Sequence, residues 1–135
     1  MLPLKVKLMP TLRKVDLREK FQEIEKHWSP RIAAELNGQH VKLVKFAGQF
    51  VWHKHDGEDE LFLVVEGSFR MEYRGEDGAE TALDLEAGQF VVVPRGVEHR
   101  PVAEREVSVL LFEPASTLNT GDAEDARRVE TPAWV

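Results

Sequence analysis

From Arg31 to Phe112 the chain is a succession of short β-type runs, cut by Asn37-Gly38, Gly48, Asp56-Gly57, Gly67, Gly75, Asp77-Gly78 and Gly88. This punctuation leaves no stretch long enough for an ordinary helix, and it predicts strands near 31–36, 39–47, 50–54, 60–65, 68–74, 79–84, 89–93, 98–103 and 106–113. Asn37-Gly38 lies between two alternating runs and supplies the residue types that accept positive φ in a two-residue hairpin turn. So many short strands favour a sandwich or barrel over one open sheet, whose edges would stay unpaired. The fold class is therefore all-β.

Outside this region the signals change. Asp16 and Glu19 have capping-box spacing, and Leu17, Phe21, Ile24 and Trp28 then fall on one helical face, which predicts a short helix from Leu17 to His27. Ser29-Pro30 stops it, because proline disfavours helical geometry in the residue before it. Further upstream, Leu4, Val6 and Leu8 alternate with lysines between Pro3 and Pro10, the pattern of an added edge strand. After Pro114 neither period persists, so the sequence divides into an extension (1–30), a β domain (31–113) and a polar tail (114–135). Trp134 either anchors that tail through its large apolar area or leaves it disordered.

Charge and composition exclude several classes. A chain of 135 residues suits one core. The net charge of −6 opposes phosphate binding, which needs clustered Lys and Arg; Arg127-Arg128 is only a pair. A nucleic-acid partner is therefore not expected. No apolar run approaches the roughly 20 residues that span a bilayer, so no membrane role is expected either. Lys5, Lys7 and two prolines break the start of the chain, which lacks the apolar core of a secretory signal; a cytoplasmic location is the default expectation. Without cysteine there is neither disulfide nor thiolate site, and any metal must be held by imidazole and carboxylate.

Such a set is present. His53 and His55 are one residue apart, so on a strand both imidazoles leave the same face. Glu60 follows a turn-forming loop, Asp56 to Asp59, that can bring a carboxylate to the neighbouring strand. His99 arrives later, just beyond Pro94-Arg95-Gly96. Three imidazoles and one carboxylate suit a divalent Mn, Fe, Co, Ni, Cu or Zn ion better than Mg or Ca. His27, at a helix end, and His40, beside a hairpin turn, lack partner spacing and receive no ligand role. Arg95, Glu98 and Arg100 read as solvated loop charges.

The segment from Gly48 through His53, His55 and Glu60 to Gly67 resembles the first motif of the cupin superfamily, and Gly88 through Pro94 and Gly96 to His99 resembles the second. The resemblance covers roughly Val41 to Phe112. It departs in two places: four residues instead of five separate Gly48 from His53, and Ala103 stands where the second motif often ends in Asn. What it implies is a small single-domain cupin: a double-stranded β-helix, or jelly-roll-like conical barrel, with one divalent ion per chain near its mouth. His53, His55, Glu60 and His99 would be its ligands, and a homodimer is implied as well.

Strand parity sorts the neighbours. Val51, Phe62 and Val64 should face the same cavity as His53 and Glu60 and form an apolar substrate pocket. Phe50, Trp52, Leu61 and Leu63 have the opposite parity and would leave an apolar outer face that a helix, a second sheet or a partner subunit must cover. Four protein ligands on an ion that prefers six leave about two positions open for water, substrate or dioxygen. An oxygenase, isomerase or lyase acting on a small organic molecule is the first expectation. A metal-dependent binding or sensing module without turnover is the second, and a metal-stabilised structural protein the third.

Overall fold

The computed structural model describes residues 11–135; the expected strand around Leu4 to Leu8 lies outside them. Among the described residues a single helix, α1 (Leu17–Gln22), precedes seven strands: β1 (Arg31–Leu36), β2 (Gln39–Gln49), β3 (Glu60–Glu66), β4 (Ser68–Arg74), β5 (Glu80–Glu86), β6 (Phe90–Val93) and β7 (His99–Pro114). All strand pairs are antiparallel. The order β1-β2-β7-β3-β6 forms one layer, and β5-β4 joins the N-terminal half of β7 in the other. This is the all-β sandwich that the turn spacing implied, in the jelly-roll-like form that the cupin resemblance implied. Asn37 (φ 50°) and Gly38 (φ 75°) form the expected tight turn between β1 and β2.

β7 is the hinge of the sandwich. Its C-terminal half pairs with β2 and β3, whereas Tyr73 to Arg70 of β4 take up His99 to Val102. The two expected strands near 98–103 and 106–113 are thus one, bent where the ladder with β2 shifts register between Phe46 and Gly48 and Glu104, Arg105 and Glu106 are exposed. Between the layers lies a core that includes Val44, Phe46, Phe62, Val64, Phe69, Met71, Val109 and Leu111. Burying each phenylalanine there contributes on the order of 2–3 kcal/mol.

Three expectations need correction. Helix α1 ends at Gln22, not His27: Glu23 and Ile24 donate to the carbonyls three residues back, a tightened last turn that sends Ile24 inward and frees Trp28 to cross toward β2. The segment near 50–54 is not a strand; only His53 makes a bridge, to His99. Finally, residues 115–135 are no loose tail. Thr117 and Thr120 are buried, and the end is pinned to β1 by hydrogen bonds from Ile32 N to Ala133 O (2.8 Å) and from Val135 N to Ile32 O (2.9 Å). Trp134 does not anchor it with its indole, which is 58% exposed; the backbone and Val135, packed beside α1, do so instead.

The outer face of the first layer carries two cross-strand apolar rows. Phe90, Leu63, Leu110 and Leu43 form one; Val92, Leu61, Phe112 and Val41 form the other. Helix α1 packs over the end of the first row with Phe21 and Ile24 on Leu43, leaving Phe90 (64%) and Val92 (47%) exposed. No helix among the described residues is long and apolar enough to cross a membrane.

Candidate metal centre

His53, His55, Glu60 and His99 come together as expected from their spacing. All four are buried, and one potential ligand atom from each lies within 4.8 Å of the others. The backbone builds this convergence. His53 and His99 face each other across the isolated bridge, exchanging hydrogen bonds of 3.1 and 2.9 Å. Gly96 N donates to His55 O (2.8 Å), so the turn of the second motif fixes the loop of the first. Glu60 opens β3 opposite Val93.

Side-chain orientation is equally constrained. Nδ1 of His53 donates to Val51 O and Nδ1 of His99 to Val97 O, both at 2.9 Å. A carbonyl only accepts, so each ring keeps its proton on Nδ1 and turns Nε2 toward the site. Nε2 of His55 and of His99 lie 3.3 and 3.4 Å from Oε1 of Glu60. These three atoms are buried and have no hydrogen-bond partner of good geometry. Buried polar atoms are normally partnered, and a shared cation satisfies all three at once. On this structural ground the donor set fits a divalent transition ion.

The electrostatics agree. Burial, reinforced by the charge of His99, lowers the His53 pKa to about 4, so that ring is neutral and free to donate a lone pair at neutral pH. Burial opposes charge on His55 too, but the adjacent carboxylate of Glu60 outweighs it and raises its pKa. For Glu60, burial alone would raise the pKa; the close approach of His55 and His99 holds it well below the usual carboxylate range. Glu60 is thus a buried carboxylate that draws positive charge onto His55.

A cavity of about 40 Å³ adjoins the cluster, room for only a few non-hydrogen atoms. Its wall includes Phe46, Phe50, Phe62, Trp28, His53 and Glu60. Of the three expected pocket residues, Phe62 lines this cavity, while Val64 lies in the buried core and Val51 is half-buried off the wall. The parity argument fails at Val51 because it requires a continuous strand through 50–54. The irregular segment instead turns Phe50 inward, stacked with Trp28 at 4.6 Å. Trp52, expected on an apolar outer face, is held between the guanidinium groups of Arg74 and Arg100 at 4.2 and 4.7 Å.

The remaining flagged residues sit outside the cluster. His27 pairs with Glu106 and His40 with Glu35. Arg95 pairs with Asp59, Glu98 with Arg74 and Arg100 with Glu72. Two groups of site residues carried no motif. The C-terminal segment crosses the site: Lys54 N donates to Asp122 Oδ1 (2.8 Å), and Gly121 packs against the Lys54 carbonyl and the His53 ring. Beneath Glu60, Lys42 and Glu113 are buried in the interior, with Nζ 3.5 Å from Oε2. Burial, then the charge of the facing Glu60, raises the Glu113 pKa well above the usual carboxylate range.

A family model described as a cupin domain matches residues 39–113. The solved structure of a cupin-2 domain containing protein from Shewanella frigidimarina is 41% identical, with a TM-score of 0.69 over 74% of this chain and 93% of that one. The uncharacterized protein YdbB of Bacillus subtilis (strain 168) is 38% identical over 76 residues; the match covers 56% of this chain and 63% of that protein, less than two thirds of its length. Hydroquinone 1,2-dioxygenase from Sphingomonas sp., solved with 4-nitrophenol, has a TM-score of 0.69 over 77% of this chain and 33% of its own; at 16% identity the likeness is one of fold.

Proposed function

This chain belongs to the cupin domain family, and from that premise we propose that it is a metal-dependent enzyme of oxygenase, isomerase or lyase type acting on a small organic molecule. One divalent transition ion per chain would be held by His53, His55, Glu60 and His99. The observation that carries this reading is the meeting of unpartnered buried nitrogens and a carboxylate oxygen at the wall of an aromatic cavity. An ion bound there supplies Lewis acidity or, if redox-active, a meeting point for dioxygen and substrate. The protein's own contribution is placement. The backbone carbonyls of Val51 and Val97 fix two imidazoles, and Phe46, Phe50, Phe62 and Trp28 exclude water and offer flat apolar surfaces. The cavity volume favours a small substrate, or one small reactive end of a larger one.

A second reading, a metal-dependent binding or sensing module without turnover, is favoured by one observation. Among the described residues, the only acid–base groups on the cavity wall are His53 and Glu60, both assigned to the ion. Reconstitution with Fe, Mn, Ni, Co, Cu or Zn, followed by screening of phenols and small organic acids for product and dioxygen uptake, decides between them. Turnover that vanishes on chelation supports the enzyme. Saturable binding without product from any ion supports the second reading and overturns the first.

The chain is further proposed to act as a homodimer. The apolar rows carrying Phe90, Val92, Leu61, Leu63 and Phe112 hold no charged side chain, so a second copy can meet the same face despite a net charge of −6 per chain.

A further inference from the structure

The segment that crosses the metal centre is built differently from the strands that form most of the cavity wall. Val44, Phe46, Phe62 and Leu111 sit in the paired strands β2, β3 and β7, and moving them would break the sandwich core. Residues 118–130 are irregular throughout and form a strap fastened at both ends. Lys42 Nζ donates to Thr117 O (3.2 Å) at one end, and Ala133 and Val135 hydrogen-bond with Ile32 at the other.

The strap's polar groups bond chiefly to one another. Asn119 accepts from Val129 N (2.8 Å) and donates to Arg127 O (2.9 Å). Arg127 grips Asp125 at 2.7 and 2.9 Å, and Arg128 donates to Thr120 Oγ1 (2.9 Å) and Ala123 O (2.8 Å). A loop packed by its own side chains in this way can lift without coming apart. Its bonds to the barrel lie at the rim: Asp122 exchanges bonds of 3.1 and 2.8 Å with the backbone of Lys54, and Arg127 Nη1 donates to Gln49 O (3.1 Å). Each such bond contributes little, so lifting the strap costs far less than unfolding the sandwich.

The site is closed while the strap is down. None of the four clustered residues is more than 5% exposed, and the adjoining cavity holds about 40 Å³. Asn119 lines that cavity, Gly121 packs on the His53 ring, and the Arg127 guanidinium lies 4.6 and 5.7 Å from the ring centres of Phe50 and Trp28, two of the aromatic walls. We propose that the strap is a lid: a small organic molecule enters when residues 118–130 lift off the barrel, and Arg127 is the latch. The inference rests on the reading of the cluster as the functional site, and it gives the C-terminal segment a role that no motif contains. Closure of this kind excludes water and commits a bound molecule to the site.

The histidines of the cluster report access directly, without catalysis. Diethyl pyrocarbonate acylates imidazole nitrogen and is too large for the closed cavity, so in the metal-free protein it should modify His53 and His99 only during openings, read by peptide mass spectrometry. Arg127→Ala removes the bond to Gln49 and the guanidinium above the rings, and it should speed modification of both histidines about tenfold, with His27 unchanged. Native-state hydrogen exchange separates lifting from unfolding: the Asp122 and Val129 amides should accelerate by about the same tenfold, while those of Val64 and Val109 keep their wild-type rates. In the wild type alone, Asp122 and Val129 should already exchange on the order of 100-fold faster than Val64 and Val109, which tests the lid even if the variant does not fold. Unchanged modification of His53 and His99 in Arg127→Ala overturns the inference, as does equal acceleration of the core amides or a wild-type strap as protected as the core. Preloading with Co(II) should shield both histidines; failure to shield them overturns the metal-centre reading alone, because the modification rates without metal still judge the lid.

Discussion

His53 and His55 are two residues apart and titrate in opposite directions. Burial depresses the first to about 4, whereas Glu60 raises the second. For the depressed group, the contribution to stability is complete above the ordinary histidine value of 6.5 and is lost as pH falls through about 4. For the raised group, it is complete below 6.5 and is lost as pH rises through the folded value. The metal-free protein is therefore predicted to weaken as pH drops from 6.5 toward 4, read as a falling urea midpoint; His53→Gln should flatten that slope, and an unchanged slope in this variant would contradict the assignment. The four clustered residues were legible because two motifs fix their spacing. Lys42 and Glu113 were not, since the runs that contain them read as generic strands. Their signal was parity with Val44, Phe46 and Leu111, which becomes usable only when the inward side is known.

Among the elements, most strand positions were legible from glycine and asparagine punctuation, and the failures share a cause. The segment 50–54, the early end of α1 and the order of 115–135 are all set by partners distant in sequence, which leave no local period. His53 is held by His99, Trp28 N by Lys45 O, Asp122 by Lys54, and Arg127 Nη1 by Gln49 O. The C-terminal strap is most sensitive at Gly121, where φ is +54° and an added Cβ would meet the Lys54 carbonyl and lie 3.1 Å from Cδ2 of His53. Gly121→Val is predicted to destabilise the fold by about 1–3 kcal/mol and to expose residues after 115 to limited proteolysis. A wild-type urea midpoint together with an intact C-terminus would contradict the strap's role.

For the whole molecule, the sandwich and its family were legible, but the extent of the uncovered face was not. The sequence pointed to Phe50, Trp52, Leu61 and Leu63; Phe50 is turned inward and Trp52 sits between two arginines, while Phe90 and Val92 complete the patch from β6. Phe90→Glu should convert a dimer to a monomer in sedimentation at micromolar concentration, while leaving stability within about 0.5 kcal/mol at a subunit concentration where both are monomeric. A wild type that is already a monodisperse monomer would contradict the dimer.

The central claim, a metal ion held by three histidines and a glutamate, is tested most directly by elemental analysis after reconstitution and exhaustive dialysis at neutral pH. The account predicts about one transition-metal ion per chain in the wild type and in His27→Ala, and none retained by His53→Ala/His55→Ala. Substoichiometric metal in the wild type, or equal metal in the double variant, would contradict it.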